Sequence, residues 1–175
     1  MKNSSMTPGA SALPDPLAKP HRFSSGRVAV VLALFTAVFI GLCLYSYTRT
    51  SATYDESINL LSGYAMLKHH DYRFSPDHVP FTRIWAAIPL SFMRIVSFNP
   101  SALPDTSSLD WVGWQQVELA RQFMYQWNDA DHLLYAARFM MLLLGVALGI
   151  MVFFWTRELL GDWPAVAALS LYALN

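Results

Sequence analysis

Charge disappears from the chain in two long stretches. From Val28 to Tyr47 no residue is ionisable at neutral pH, and at a rise of about 1.5 Å per residue such a helix crosses a hydrocarbon core of roughly 30 Å. The run Phe139 to Trp155 matches it, bounded by Arg138 and by Arg157-Glu158, with Gly145 and Gly149 in a Gly-x-x-x-Gly pair. That spacing either lets another helix approach closely or is a tolerated pair of glycines in a Leu-rich span. After Leu160-Gly161-Asp162-Trp163-Pro164 a third apolar run begins and reaches Asn175 before it is long enough to cross. The pattern predicts an all-α membrane protein. Its expected parts are a disordered tail over 1–27, transmembrane helices over 28–47 and 138–157, a turn over 158–163, and the start of a third span over 164–175. The expectation is therefore the amino-terminal portion of a longer chain. A cleavable signal would have a shorter apolar region and small residues after it, whereas Tyr45-Ser46-Tyr47-Thr48-Arg49 is bulky, so the first helix reads as a retained anchor.

Lys2, Lys19, Arg22 and Arg27 precede the first span and Arg49 alone follows it closely, which predicts a cytoplasmic amino terminus, in a bacterium at the inner membrane. The segment 48–137 is then an extracytoplasmic loop. Within it Pro80 to Val96 sets Phe81, Ile84, Trp85, Ile88, Phe92 and Ile95 at helical spacing, with Arg83 and Arg94 placed to reach headgroups. Trp111 to Trp127 does the same with Trp111, Trp114, Val117, Phe123, Met124 and Trp127. Both segments read as helices on the membrane surface, with packing against other protein as the alternative.

Composition sharpens the class. The 175 residues are 54% hydrophobic and 14% charged with a net charge of zero, so the bilayer is the expected partner and no basic face offers itself to nucleic acid. The single cysteine, Cys43, lies inside the first span and can form no intrachain disulfide.

Candidate chemistry gathers just past the first span. Asp55 and Glu56 open an amphipathic helical pattern over Tyr54 to Leu67. Asp55 reads either as the helix N-cap or as a carboxylate at the membrane boundary serving as general base, and the two roles are compatible. The cluster His69-His70-Asp71-Tyr72-Arg73-Phe74-Ser75-Pro76-Asp77-His78-Val79-Pro80 follows. It has no His-x-x-x-His and no cysteine partner, so no metal is assigned, and a divalent ion stays an alternative. Otherwise the histidines end the preceding helix near its negative pole and the prolines shape a turn. Arg73 or Arg83 can instead hold a phosphate.

Asp55-Glu56, then Gly63-Tyr64, then Asp71 to Phe81 resemble the first extracytoplasmic loop of bacterial relatives of the protein O-mannosyltransferases. There an Asp-Glu pair is followed by a Gly and by the phrase Gly-Asp-Tyr-Arg-Leu-Asn-Pro-Glu-His-Pro-Pro-Leu. This chain departs with His70 for the glycine, Ser75 for the asparagine, Asp77 for the glutamate, Val79 for the first proline, and Arg83 where lysine is common. Phe123-Met124-Tyr125, Asp129-Ala130-Asp131 and Ala137 to Gly145 are similar to the start of the family's second span, so the resemblance covers about Val28 to Asn175. It implies a multi-spanning glycosyltransferase C fold and an inverting transfer of sugar from a polyprenyl-phosphate donor to an extracytoplasmic acceptor. Asp55 would be the base, Glu56 its neighbour in the site, and Arg73, His78 and Arg83 substrate-binding residues. The alternative is a two-span accessory protein whose loop binds membrane or a partner without catalysis.

Overall fold

In a computed structural model that describes residues 22–74, 78–103 and 111–174, every regular element is a helix, with no strand among the described residues. The expected disordered tail lies outside the described residues from Met1 to His21, as do Ser75, Pro76 and Asp77 of the histidine cluster. Helix α1 (Ser25–Tyr47) follows Ser24, and α5 (Ala130–Leu160) starts where the Asp129 carboxylate accepts the backbone N–H groups of Asp131 and His132. Among the described residues these two are long and apolar enough to cross a membrane. Their apolar side chains largely face outward: in α1 only Val28 and Phe35 are buried, whereas Val30, Leu34, Val38 and Leu42 are exposed. A helix apolar all round with little of it covered by protein suits a lipid surface.

At 31 residues α5 is about 46 Å long, more than a hydrocarbon core requires. It starts at Ala130 rather than at Arg138, and its surplus length serves a second purpose. Leu133, Leu134 and Ala137 in its first turns join one apolar cluster with residues of the loop, while Phe153 joins another with Val28 and Phe35 of α1 and Ala165 and Leu169 of α6 (Asp162–Leu174). Gly145 and Gly149 face this second cluster. A side-chain carbon at Gly149 would overlap the Phe35 ring, and one at Gly145 would lie 3.0 Å from the Phe39 ring. The glycine pair therefore seats aromatic side chains of the same chain.

The centre of the loop is α2 (Tyr54–His69). An amphipathic helix was the expectation, yet every residue from Leu60 to Met66 is buried. The reason is that α2 is flanked: α3 (Pro80–Ala87) packs on it, and so does α4 (Gln116–Tyr125). The crossing with α3 is close enough that a side-chain carbon at Gly63 would overlap the Arg83 carbonyl. At its far end α2 is closed by His70 in the left-handed conformation, φ 53°, a geometry that favours glycine.

Two amphipathic segments of the loop differ from the expectation in where the helix ends and in which side chains turn outward. The α-helical part of Pro80 to Val96 ends at Ala87 and tightens into a 3-10 turn over Ile88–Phe92, where Pro89 lacks the N–H that would continue the α-helical ladder. Arg83 does not reach outward; it is 4% exposed. In the second segment a wide π-helical turn over Trp111–Gln115 precedes α4, and Trp111 is buried against Phe74 with ring centroids 5.2 Å apart. Trp114, by contrast, is exposed.

Two substitutions test this packing. Gly63→Ala should destabilise the chain by about 1–3 kcal/mol through overpacking, and His70→Gly should stabilise it by about 0.5–1 kcal/mol by relieving the left-handed residue. Thermal unfolding in detergent micelles, followed by near-ultraviolet circular dichroism, reads both. A Gly63→Ala protein as stable as the parent would contradict the close crossing.

Candidate functional site

Arg138 sits where α5 passes from one apolar cluster to the other, and a guanidinium buried there requires acceptors for five N–H groups. The connection between α1 and α2 supplies them. Nε donates to Glu56 Oε1 at 2.9 Å and Nη2 to Glu56 Oε2 at 2.8 Å, a bidentate pair; Nη2 also reaches the Ser51 carbonyl, and Nη1 reaches those of Tyr47 and Thr50. Every N–H of Arg138 is thereby used inside the protein. Glu56 Oε2 accepts in addition from the Thr53 backbone N–H at 2.9 Å, closing a capping box at the start of α2. The N-cap is therefore Thr53 and not Asp55, which stands within the first turn.

Glu56 and Arg138 form part of one wall of a cavity of about 490 Å³ between α2, α3 and α5. Asn59, His78, Thr82 and Arg83 complete its polar lining, and Leu60, Leu134 and Met141 are among its apolar lining residues. Arg83 is oriented by α2: its Nε donates to Asn59 Oδ1 at 2.9 Å and its Nη1 to Ser62 Oγ at 3.3 Å, while Ser62 Oγ donates to the Phe74 carbonyl. Such a cavity, cationic and amide-bearing beside apolar walls, can take an anionic headgroup together with the start of an apolar tail.

Three of the five residues singled out in sequence thus meet: Glu56, His78 and Arg83 line the cavity. The other two stand apart. Asp55 is exposed, its carboxylate makes no hydrogen bond or ion pair among the described residues, and it does not line the cavity, although it adjoins Glu56 in the chain. Arg73 is committed elsewhere, in a bidentate pair with Asp71 at 2.9 and 2.7 Å and a bond to the Pro100 carbonyl. That guanidinium holds the Asp71 carboxyl below its ordinary value. The histidine cluster disperses too: His69 Nε2 pairs with Ser97 Oγ at 2.8 Å and packs on Tyr64 and Phe98. Among the described residues no three His, Cys, Asp or Glu side chains converge on a point where a metal could sit.

Arg138 and Asn59 were not singled out from the sequence. For Arg138 a signal existed, since an arginine abutting an apolar span must find partners or leave the membrane boundary. For Asn59 the signal was weaker: it lies three residues after Glu56, on the same helix face. No protein-family model, curated protein or solved structure matches the chain.

The Arg138 guanidinium, bonded to both oxygens of Glu56, holds that carboxyl below its ordinary value of 4.5, against an opposing push from partial burial. With the folded-state value the lower one, protons favour the unfolded chain, so the stabilisation is complete above 4.5 and is lost as the pH falls through the depressed value. Glu56→Gln should therefore cost about 2–3 kcal/mol at pH 7, the low side for a buried pair because Glu56 is partly exposed. The difference from the parent should close as the pH drops below the ordinary glutamate value. Thermal midpoints of both proteins against pH measure this; a gap that stays constant would remove Glu56 as its source.

Proposed function

We propose that the protein is an integral membrane glycosyltransferase that moves a sugar, with inversion, from a polyprenyl-phosphate donor to an acceptor outside the cytoplasm. The observation that carries this reading is the cavity itself, lined by Arg83, His78 and Asn59 together with Leu60, Leu134 and Met141, the last two from the long apolar helix α5. Its chemistry suits a ligand that is anionic at one end and hydrocarbon at the other. In the proposed reaction the Asp55 carboxylate takes the proton of an acceptor hydroxyl as that oxygen attacks the anomeric carbon. The bond from that carbon to the phosphate oxygen breaks, and polyprenyl phosphate departs with the electron pair. A phosphate leaving group needs little acid assistance when cations stabilise its charge, so a single carboxylate base suffices. Glu56 and Arg138 hold the turn that carries Asp55.

A non-catalytic accessory role is the second reading. It is favoured by Asp55 lying outside the cavity and by Glu56 and Arg138 bonding to each other, a framework that holds without any substrate. One substitution separates the two. Membrane vesicles containing the protein are supplied with polyprenyl-phosphate mannose, glucose or aminoarabinose labelled in the sugar, and transfer to vesicle acceptors is followed. The parent should consume at least one donor, and Asp55→Asn should slow transfer by about a hundredfold or more, the scale of a lost general base, with an unchanged melting temperature. Transfer at the parental rate by Asp55→Asn, or no donor consumed by the parent, would overturn the enzymatic reading.

A further inference from the structure

The orientation of one amide in the cavity is fixed by its partner. Asn59 Oδ1 lies 2.9 Å from Nε of Arg83, and because a guanidinium N–H can only donate, the atom facing it must be the oxygen. The Asn59 Nδ2 group, with its two N–H donors, is then turned away from Arg83. Among the described residues it has no protein acceptor, and Asn59 lines the cavity beside Glu56. The neighbouring Glu56 oxygens are already engaged by Arg138 and Thr53. Arg138 in turn has no N–H left to offer. On this part of the wall the donor available to a ligand is therefore the amide.

We infer that Asn59 is a substrate-contacting residue whose oriented amide N–H groups donate to an oxygen of the bound donor, either of its phosphate or of its sugar. This rests on the glycosyltransferase reading and adds to it a specific recognition group on α2. A donor pre-set by a buried neighbour binds without first losing rotamer freedom, and a bond to an anionic oxygen is the stronger kind.

Asn59→Asp separates ligand contact from a merely structural role. The substitution keeps an oxygen on Arg83, where the bond becomes charge-assisted, and replaces the N–H donors with a carboxylate oxygen. A residue that served only to hold Arg83 would tolerate or gain from it. Binding of citronellyl phosphate and of citronellyl-phosphate mannose to the protein in nanodiscs is measured by microcalorimetry, with the melting temperature as a check on folding. Asn59→Asp should melt no lower than the parent and bind at least one probe about tenfold or more weakly, as expected for loss of a bond to a charged group. Asn59→Leu, of similar size and without the added charge, should likewise bind at least one probe about tenfold or more weakly, and should melt lower because Arg83 Nε loses its acceptor. Equal weakening of both probes by the uncharged Asn59→Leu as well as by Asn59→Asp assigns the contact to phosphate, and weakening of the mannose conjugate alone assigns it to the sugar. Weakening by Asn59→Asp but not by Asn59→Leu is repulsion by the added charge and overturns the inference. Parental affinity for both probes in the folded variant overturns the inference while leaving the enzymatic reading standing. A parent protein that binds neither probe overturns both.

Discussion

A guanidinium brought to the boundary between a long apolar helix and a packed loop must satisfy five donors and one positive charge at once, and few local arrangements can do so. Arg138 meets the requirement with both oxygens of Glu56 and three backbone carbonyls from the segment that joins α1 to α2. Those carbonyls lie at and beyond the end of α1, where helix geometry leaves C=O groups without partners. One side chain therefore satisfies the end of the first long helix, neutralises the first turn of α2, and ties both to α5. Removing either member of the pair would leave a charge with no counterpart, so the position of α2, and of everything that packs on it, follows from this contact.

The rest of the architecture is arranged around α5. Its outer turns contribute Leu133, Leu134 and Ala137 to the loop cluster, and its inner turns offer Gly145 and Gly149 to Phe35 and Phe39. Small residues at that seam let large rings approach the backbone. Tyr172 of α6 adds a hydrogen bond to the Gly145 carbonyl at 2.8 Å and stacks on Phe39 at 5.7 Å. A second charged tie lies at the other end of α5, where the buried Asp162 carboxylate accepts from Arg157 and from the Phe23 backbone. Polar contacts fix both ends of the helix group, and aromatic packing fills the middle.

The cavity inherits its character from these constraints. Its polar wall exists because α2 and α3 cross at Gly63, which turns Arg83 inward toward Asn59 and Ser62, and because Trp85 anchors α3 to the Met140 carbonyl at 2.7 Å. Its apolar lining comes from Leu134, Ala137 and Met141 of α5 together with Leu60 of α2 and Ala86 of α3. Asp55, next in the chain to Glu56, is exposed and does not line the pocket. Chemistry at this site is the proposal that joins these features.

Length and absence of charge were enough for the sequence to specify two long apolar helices, because the need to satisfy every backbone group within a span leaves an α-helix as the local answer. The acidic pair at the start of α2 and a cationic, histidine-bearing segment near the carboxylates were also present in the residue order. Which face each segment turns to its neighbours was not. A single helix was expected to run from Pro80 to Val96 through Pro89, whereas the α-helix in fact stops at Ala87. Periodicity made α2 amphipathic, yet Leu60 to Met66 are covered all round; it sent Arg83 and Trp111 outward, yet both are buried. The pairing of Glu56 with Arg138, 82 residues apart, and the orientation of Asn59 by Arg83 depend on which helices meet and at what distance. Patterns along the chain record whether a residue can be buried; only the packing of α2, α3 and α5 decides against what.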